Sequence, residues 1–160
     1  GIILNNRLTG FSLDPQSPNI IAPGKRPAHT LNAFTAVRAD GSLYLVGGTP
    51  GANIQVQTNL QLLVNVIDLK MNVQEATEAP RWQHLNAPGQ SSDEEKGLGV
   101  LEIENRVATA VLDELRAKGH EVRPLAAWGH GSSVQMMEVL ANGTFAFGSD
   151  PRCEGHASGV

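Results

Sequence analysis

The chain has 160 residues, 41% hydrophobic and 18% charged, which describes one globular domain with a real core and excludes a disordered chain. A net charge of −4 and an aromatic content of 4% give no general attraction to nucleic acid or anionic membrane and no base-stacking surface. The single cysteine, Cys153, excludes an internal disulfide and a multi-cysteine metal site, and no apolar run reaches the roughly 20 residues that a membrane span needs.

The chain opens inside a short apolar run, Ile2 to Leu4, read as a strand, without an initiating Met and without the apolar core of a signal peptide. That start reads as a fragment of something longer. Asn5 to Gly10 is polar and turn-like, with Phe11 as an apolar anchor. Leu13 to Thr30 contains Pro15, Pro18, Pro23 and Pro27, which exclude a regular element. Within it, Gly24-Lys25-Arg26 reads as a solvated basic turn.

Leu31 to Ala39 is a strand, and Asp40-Gly41 is a strong hairpin signal. The following stretch, Leu43 to Leu69, organises the chain: a strand, a glycine-rich turn and a long helix. Leu43 to Val46 is apolar on both faces, so a sheet covered on both sides is expected. From about Asn53 the helix presents Val56, Leu60, Leu63 and Ile67 as one apolar stripe, widened by Leu62, Val66 and Leu69. Gln57, Gln61, Asn65 and Asp68 fall on its wet side. Between strand and helix, Gly47 to Ala52 leaves backbone N–H groups uncovered at the positive end of a helix, a place that suits a phosphate, a carboxylate or an oxyanion. The same spacing also describes an ordinary glycine-rich corner, because neither a nucleotide P-loop ending nor Gly-x-Gly-x-x-Gly is present.

Asn72 caps a second helix, with Glu75 completing a capping box and Pro80 ending it. Arg81 to Leu85 is a short strand. Asn86 to Gly97 is polar and reads as an exposed loop. Leu98 to Ile103 is an alternating strand, Asn105 is a candidate N-cap for a helix to Lys118, and Gly119 closes that helix. Ala108, Val111, Leu112 and Leu115 form its stripe. Val122 to Leu125 extends again. Val134 to Leu140 and Thr144 to Phe147 form a hairpin on Asn142-Gly143, which suits a type I′ turn. The tail, Gly148 to Arg152, reads as a turn whose Asp150 and Arg152 make a structural ion pair. The sum is α+β with mostly antiparallel strands and flanking helices.

Chemistry is sparse. The five histidines lack metal-ligand spacing, so no metal site is expected; His84, His120 and His156 read as solvated or structurally bonded. No Gly-x-Ser-x-Gly elbow occurs. Trp82 and Trp128 read as packing residues and Cys153 as a bystander.

Taken together, Gly1-Ile2-Ile3-Leu4-Asn5-Asn6 with Phe11-Ser12, Pro23-Gly24-Lys25-Arg26-Pro27, Gly48-Thr49-Pro50-Gly51, Asn72-Val73-Gln74-Glu75-Ala76 with Ala79-Pro80-Arg81, and Gly148-Ser149-Asp150-Pro151-Arg152 resemble the C-terminal part of the small subunit of γ-glutamyltranspeptidases and related cephalosporin acylases. The resemblance implies an N-terminal-nucleophile hydrolase with a four-layer αββα sandwich. Its precursor cuts itself into two subunits and exposes a threonine whose hydroxyl attacks an amide while its own α-amine acts as base. Residues 1–160 are then a single-domain fragment that begins after that threonine, inactive alone. Its expected partners are the large subunit of the same precursor and a small-molecule amide, with no cofactor, and self-association through exposed apolar surface. A periplasmic or secreted location is suggested by the family only.

Position by position, the resemblance aligns the two oxyanion donors with Gly51 and Ala52, the second of which is usually glycine. A pair of adjacent hydroxyl residues at the substrate's carboxylate end aligns with His29 and Thr30. The acid that holds the substrate's α-ammonium aligns with Gly10, and a polar neighbour of the substrate with Arg7. Losing the acid and gaining a guanidinium disfavours a cationic acyl group and favours an anionic one. The expected acyl group therefore lacks the α-amine, as glutaryl does. A non-enzymatic relative and an anion-binding module are the competing readings.

Overall fold

Two tight turns with glycine at a left-handed position fold the larger sheet. A computed structural model describes residues 1–85 and 99–156. Strands β1 (Phe34–Val37), β2 (Leu43–Gly48), β6 (Gln135–Val139) and β7 (Phe145–Ser149) form an antiparallel sheet in the order β1-β2-β6-β7. The β1-β2 and β6-β7 connections are built alike. The N–H of Gly41 donates to Arg38 O at 2.9 Å and that of Gly143 to Leu140 O at 2.9 Å, with both glycines at positive φ. Asp40 and Asn142 keep negative φ. Each loop is thus a type I turn followed by a left-handed glycine, not the type I′ turn expected for Asn142-Gly143.

Helices α1 (Gln55–Ile67) and α2 (Val73–Glu78) cover one face of this sheet. Leu45, Val134 and Met136 of the sheet region, Leu62 and Val66 of α1, and Val73 and Ala76 of α2 make the core. The other face is less enclosed. Val46 is half-buried there and, with Gly48, Met137 and Phe147, lines an open cavity of about 380 Å³. The covering expected on both sides of Leu43 to Val46 is therefore one-sided. The capping box of α2 is formed as expected: Asn72 Oδ1 accepts from the N–H groups of Gln74 and Glu75, and Glu75 Oε2 accepts from the N–H of Asn72.

The smaller sheet has the order β3-β4-β5, from β3 (Trp82–Leu85), β4 (Val100–Glu104) and β5 (Glu121–Leu125). β3 and β4 are antiparallel, while β4 and β5 are parallel and joined through α3 (Thr109–Ala117). α3 starts later than expected. Its N-cap is Ala108, whereas Asn105 donates its N–H to Leu125 O and so belongs to a turn against β5. At the other end Gly119, at φ +92°, donates to Arg116 O while His120 donates to Leu115 O, the Schellman closure.

The buried face of α1 keeps Leu62 and Val66 as expected but is rotated away from the rest of the expected stripe. Its buried residues are Gln55, Thr58, Asn59, Leu62 and Val66, while Val56 and Leu60 are 60% and 57% exposed. Hydrogen bonds explain the rotation. Gln57 accepts from the His84 N–H at 2.7 Å and donates to His84 O at 3.0 Å. Gln61 does the same to Trp82, at 3.1 and 2.9 Å. Two glutamines one helical turn apart meet alternate residues of a strand, so their amides pair the outer edge of β3. These are side chains expected to face water.

Gly1–Leu31 forms one compact unit and Asn32–Val160 the other. In the first, Arg7–Gly10 is one 3₁₀ turn and no regular element occurs from Leu13 to Thr30, as the prolines require. Ile2 to Leu4 is not a strand; all three side chains are exposed, with no pairing among the described residues. Lys25, expected to be solvated, donates to the carbonyls of Pro18 and Ile20 and clasps its own loop. The loop expected at Asn86 to Gly97 lies outside the described residues.

Candidate active site

The glycine-rich turn joins β2 to α1 through a short 3₁₀ turn, Ala52–Ile54. Gly51 sits at φ +141°, and a Cβ there would lie 2.7 Å from Ile54 Cγ1, so both conformation and space demand glycine. Ala52 follows at φ +48°, a left-handed conformation that costs an L-residue about 1 kcal/mol or more. Ile54 donates its N–H to Gly51 O at 3.0 Å, and Gln55 donates to Ala52 O. The N–H groups of Gly51 and Ala52 have no acceptor among the described residues. Two adjacent uncommitted donors at the start of a helix are what a developing negative charge on oxygen requires.

Thr49, buried at the entrance of the turn, donates its hydroxyl to Pro50 O at 2.7 Å and accepts the N–H of Ser133 at 2.9 Å. Ser133 belongs to the segment before β6, which is held from the other side by a buried charge cluster. In that cluster Arg81 pairs with Asp150, donates to Ser132 Oγ at 2.7 Å and to Thr77 O at 2.6 Å. Arg152 grips Glu104 with two bonds, at 2.6 and 2.7 Å, and reaches Asp150 at 3.0 Å. Arg106 bonds Glu104 at 2.7 Å and stacks 3.4 Å from the ring centre of Trp128. Asp150 also accepts the N–H of Val134 at 2.9 Å.

The electrostatics follow from burial and pairing. Burial alone would raise the Glu104 carboxyl, but hydrogen bonds from Arg152 and Arg106 outweigh it and hold the pKa at about 2. Asp150 is likewise lowered against the effect of burial, by the N–H groups of Val134 and Arg152 and by Arg81. His130 is pushed down to about 4, first by burial and then by the charge of Arg81. Its Nδ1 lies 2.7 Å from Ser132 Oγ and 3.2 Å from the Ser132 nitrogen, and its Nε2 has no partner among the described residues.

The residues singled out in the sequence fall into two sets. Gly51 and Ala52 lie side by side in the turn of the second unit. Arg7 and Gly10 begin and end one 3₁₀ turn of the first, where Arg7 is half-buried and Gly10 exposed. His29 is exposed and Thr30 half-buried near the end of that unit. The tail pair Asp150 and Arg152 is an ion pair at a turn, as read, and both side chains are buried. Arg81, Glu104, His130 and Ser132 were not visible as its companions. The available signal was the pair of Pro-Arg steps, Pro80-Arg81 and Pro151-Arg152, each just past the end of an element. Among the described residues no cluster of His, Cys, Asp and Glu could hold a metal ion.

Comparison with known proteins identifies the family. The gamma-glutamyltranspeptidase family model matches residues 1–160. The oxamate amidohydrolase proenzyme of Klebsiella pneumoniae is 39% identical over 99% of this chain and 29% of its own length. The glutathione hydrolase proenzyme of Escherichia coli is 36% identical over 95% of this chain and 26% of its own. The solved cephalosporin acylase from Bacillus halodurans superposes with a TM-score of 0.76 at 29% identity, over 98% of this chain and 28% of that one. An α+β fold with mostly antiparallel strand pairs is thus shared with a chain named as an acylase, and the sequence is similar to those of two amide hydrolase proenzymes. The chain belongs to the gamma-glutamyltranspeptidase family. It spans less than a third of the length of these relatives.

Proposed function

We propose that this chain is the oxyanion-bearing part of a self-processing amide hydrolase or acyltransferase whose acyl group carries a carboxylate and no α-ammonium, as glutaryl does. The observation that carries this specificity is Gly10. Its φ lies outside the left-handed range and an added Cβ would meet nothing nearer than Ala28 O at 3.4 Å. The backbone would therefore accept an acidic side chain there, so the missing acid is not a consequence of turn geometry. Arg7, at the start of the same turn, offers a guanidinium suited to a carboxylate. The oxamate amidohydrolase relative supports the reading, since oxamate is an amide whose acyl group ends in a carboxylate and bears no ammonium.

In the proposed reaction the hydroxyl of an N-terminal threonine, outside this sequence, attacks the amide carbon, and its α-amine takes the proton. The carbonyl oxygen becomes an oxyanion received by the N–H groups of Gly51 and Ala52. Collapse expels the amine, and water or an acceptor amine releases the acyl group. The half-buried face of Val46, Met137 and Phe147 is where a second sheet completes the αββα sandwich with the large subunit. The test compares the complete enzyme on glutaryl and γ-glutamyl anilides. Glutaryl is expected to win in kcat/KM by tenfold or more, by the order of one buried charge contact, and Gly10→Asp to narrow the gap. A strong γ-glutamyl preference in the wild-type enzyme overturns the specificity.

A further inference from the structure

We infer that Thr49 is the positioning residue for the oxyanion donor at Gly51, acting through the peptide plane that the two share. This inference rests on the proposed role of the Gly51 and Ala52 amides. The Pro50 carbonyl and the Gly51 N–H belong to one peptide unit, and that unit is trans. Planarity makes the two groups point in opposite directions, so whatever fixes the carbonyl fixes the N–H. The Thr49 hydroxyl fixes it, donating to Pro50 O at 2.7 Å.

A lock is needed here because Gly51 supplies none. Glycine populates both signs of φ with little preference, so the Pro50–Gly51 peptide can flip about its ends and carry the N–H away from the substrate. The hydroxyl in turn has only one arrangement. It accepts the N–H of Ser133 at 2.9 Å, which leaves its proton directed at Pro50 O. Thr49 is 8% exposed, so water does not compete for these bonds. Ser133 is itself held in place on both sides. Ser132 Oγ takes a bond from Arg81 at 2.7 Å, and the Val134 N–H bonds Asp150 at 2.9 Å. The direction of one backbone donor is thus set from the buried charge cluster through a single hydroxyl, and preorganisation of this kind is what makes an oxyanion donor effective.

The experiment uses the mature two-subunit enzyme. Thr49→Val keeps the shape and removes the hydroxyl; Thr49→Ser keeps the hydroxyl. Thr49→Val is expected to lower kcat about 10- to 100-fold with KM within about twofold, somewhat less than deleting an oxyanion donor outright. Thr49→Ser is expected to retain at least about half of kcat, on the principle that the hydroxyl and not the methyl acts. A Thr49→Val enzyme with unchanged kcat overturns the inference, and so does a Thr49→Ser enzyme as slow as Thr49→Val. Should Thr49→Val fail to fold or process, Thr49→Ala read at low temperature replaces it under the same criteria. The oxyanion reading is checked separately by amide NMR with a boronate that forms a tetrahedral adduct on the nucleophile. If neither the Gly51 nor the Ala52 resonance shifts in the wild type, that reading fails. If both shift while Thr49→Val keeps kcat, only the role of Thr49 fails.

Discussion

Two polar regions of the Asn32–Val160 unit treat their hydrogen-bonding groups in opposite ways. In the charge cluster each carboxylate is paired with a guanidinium, and Arg152 alone bonds Glu104, Asp150, Thr77 O and Ala79 O; Arg106 Nε and His130 Nε2 are left without a partner among the described residues. In the Gly47 to Ala52 turn the amides of Gly51 and Ala52 have no acceptor among the described residues, and both residues stand at positive φ. A buried charge without partners costs several kcal/mol, so the charges of the first region are paired because they must be. The second tolerates open donors and strain because its neighbours hold it there. That contrast separates a region built for stability from one built to receive a ligand.

The comparison breaks most visibly at Arg81. Arg81→Met removes one of the two guanidinium partners of Asp150, a carboxylate at 1% exposure, and the bond to Ser132 Oγ. A loss of about 3–5 kcal/mol is expected, enough to unfold a domain of ordinary stability. Chemical denaturation of the two-subunit enzyme measures it. A loss below about 1 kcal/mol would mean that the pair is as dispensable as a surface one.

Acid acts on the same cluster in two stages. The folded His130 has a pKa of about 4 against an ordinary 6.5. Between those values the unfolded chain binds a proton that the folded chain refuses, so stability falls as pH drops from 6.5 to 4. Glu104 is held at about 2 against an ordinary 4.5. Its contribution is complete above 4.5 and is lost as pH falls from there to 2. Each stage is worth roughly 3 kcal/mol at most. Melting temperatures measured from pH 7 to pH 3 should decline throughout, and His130→Gln should flatten the upper stage while leaving the lower one. A flat profile between pH 6.5 and 4 in the wild type would contradict the burial of a neutral imidazole.

At the turn the effects are smaller in stability and larger in rate. Gly51→Ala places a Cβ 2.7 Å from Ile54 Cγ1 at φ +141°. A cost of about 1–3 kcal/mol is expected, together with a kcat loss greater than the stability loss explains. Shortening Ile54 to Ala in the same chain relieves the contact but not the φ. Partial recovery of stability without recovery of kcat would separate packing from donor geometry.

What could be read in the sequence was local. Asp40-Gly41 and Asn142-Gly143 announced hairpins, Asn72 with Glu75 announced a cap, and Gly119 a helix end, because in each case the residues that interact are within a few positions of one another. Arg81 and Asp150 stand 69 positions apart, and nothing in either neighbourhood names the other. The face of α1 was misread for a related reason. Counting apolar residues put Val56 and Leu60 inside, but Gln57 and Gln61 bond to β3 and Gln55 and Asn59 bond to Asn32, which turns the helix the other way. The glycine-rich turn was recognisable as a possible anion site. The hydroxyl of Thr49, which fixes its direction, was not, since its partner Ser133 comes 84 residues later.

Ala52→Gly gives the finest test of the contrast. At φ +48° alanine is held in a conformation that costs it about 1 kcal/mol or more, and glycine removes that strain. Glycine also loses about 0.4–1 kcal/mol through the greater freedom of the unfolded chain. The two nearly cancel, so a net change within about 0.5 kcal/mol is expected, on the stabilising side if strain dominates. The N–H stays in place in either case. Gly51 already leaves one end of the shared turn free, and a second glycine frees the other, so kcat should fall modestly even where the melting temperature rises. A variant that is both more stable and faster would mean that the strain at Ala52 is a cost with no return in donor alignment, and that the turn is held by Thr49 alone.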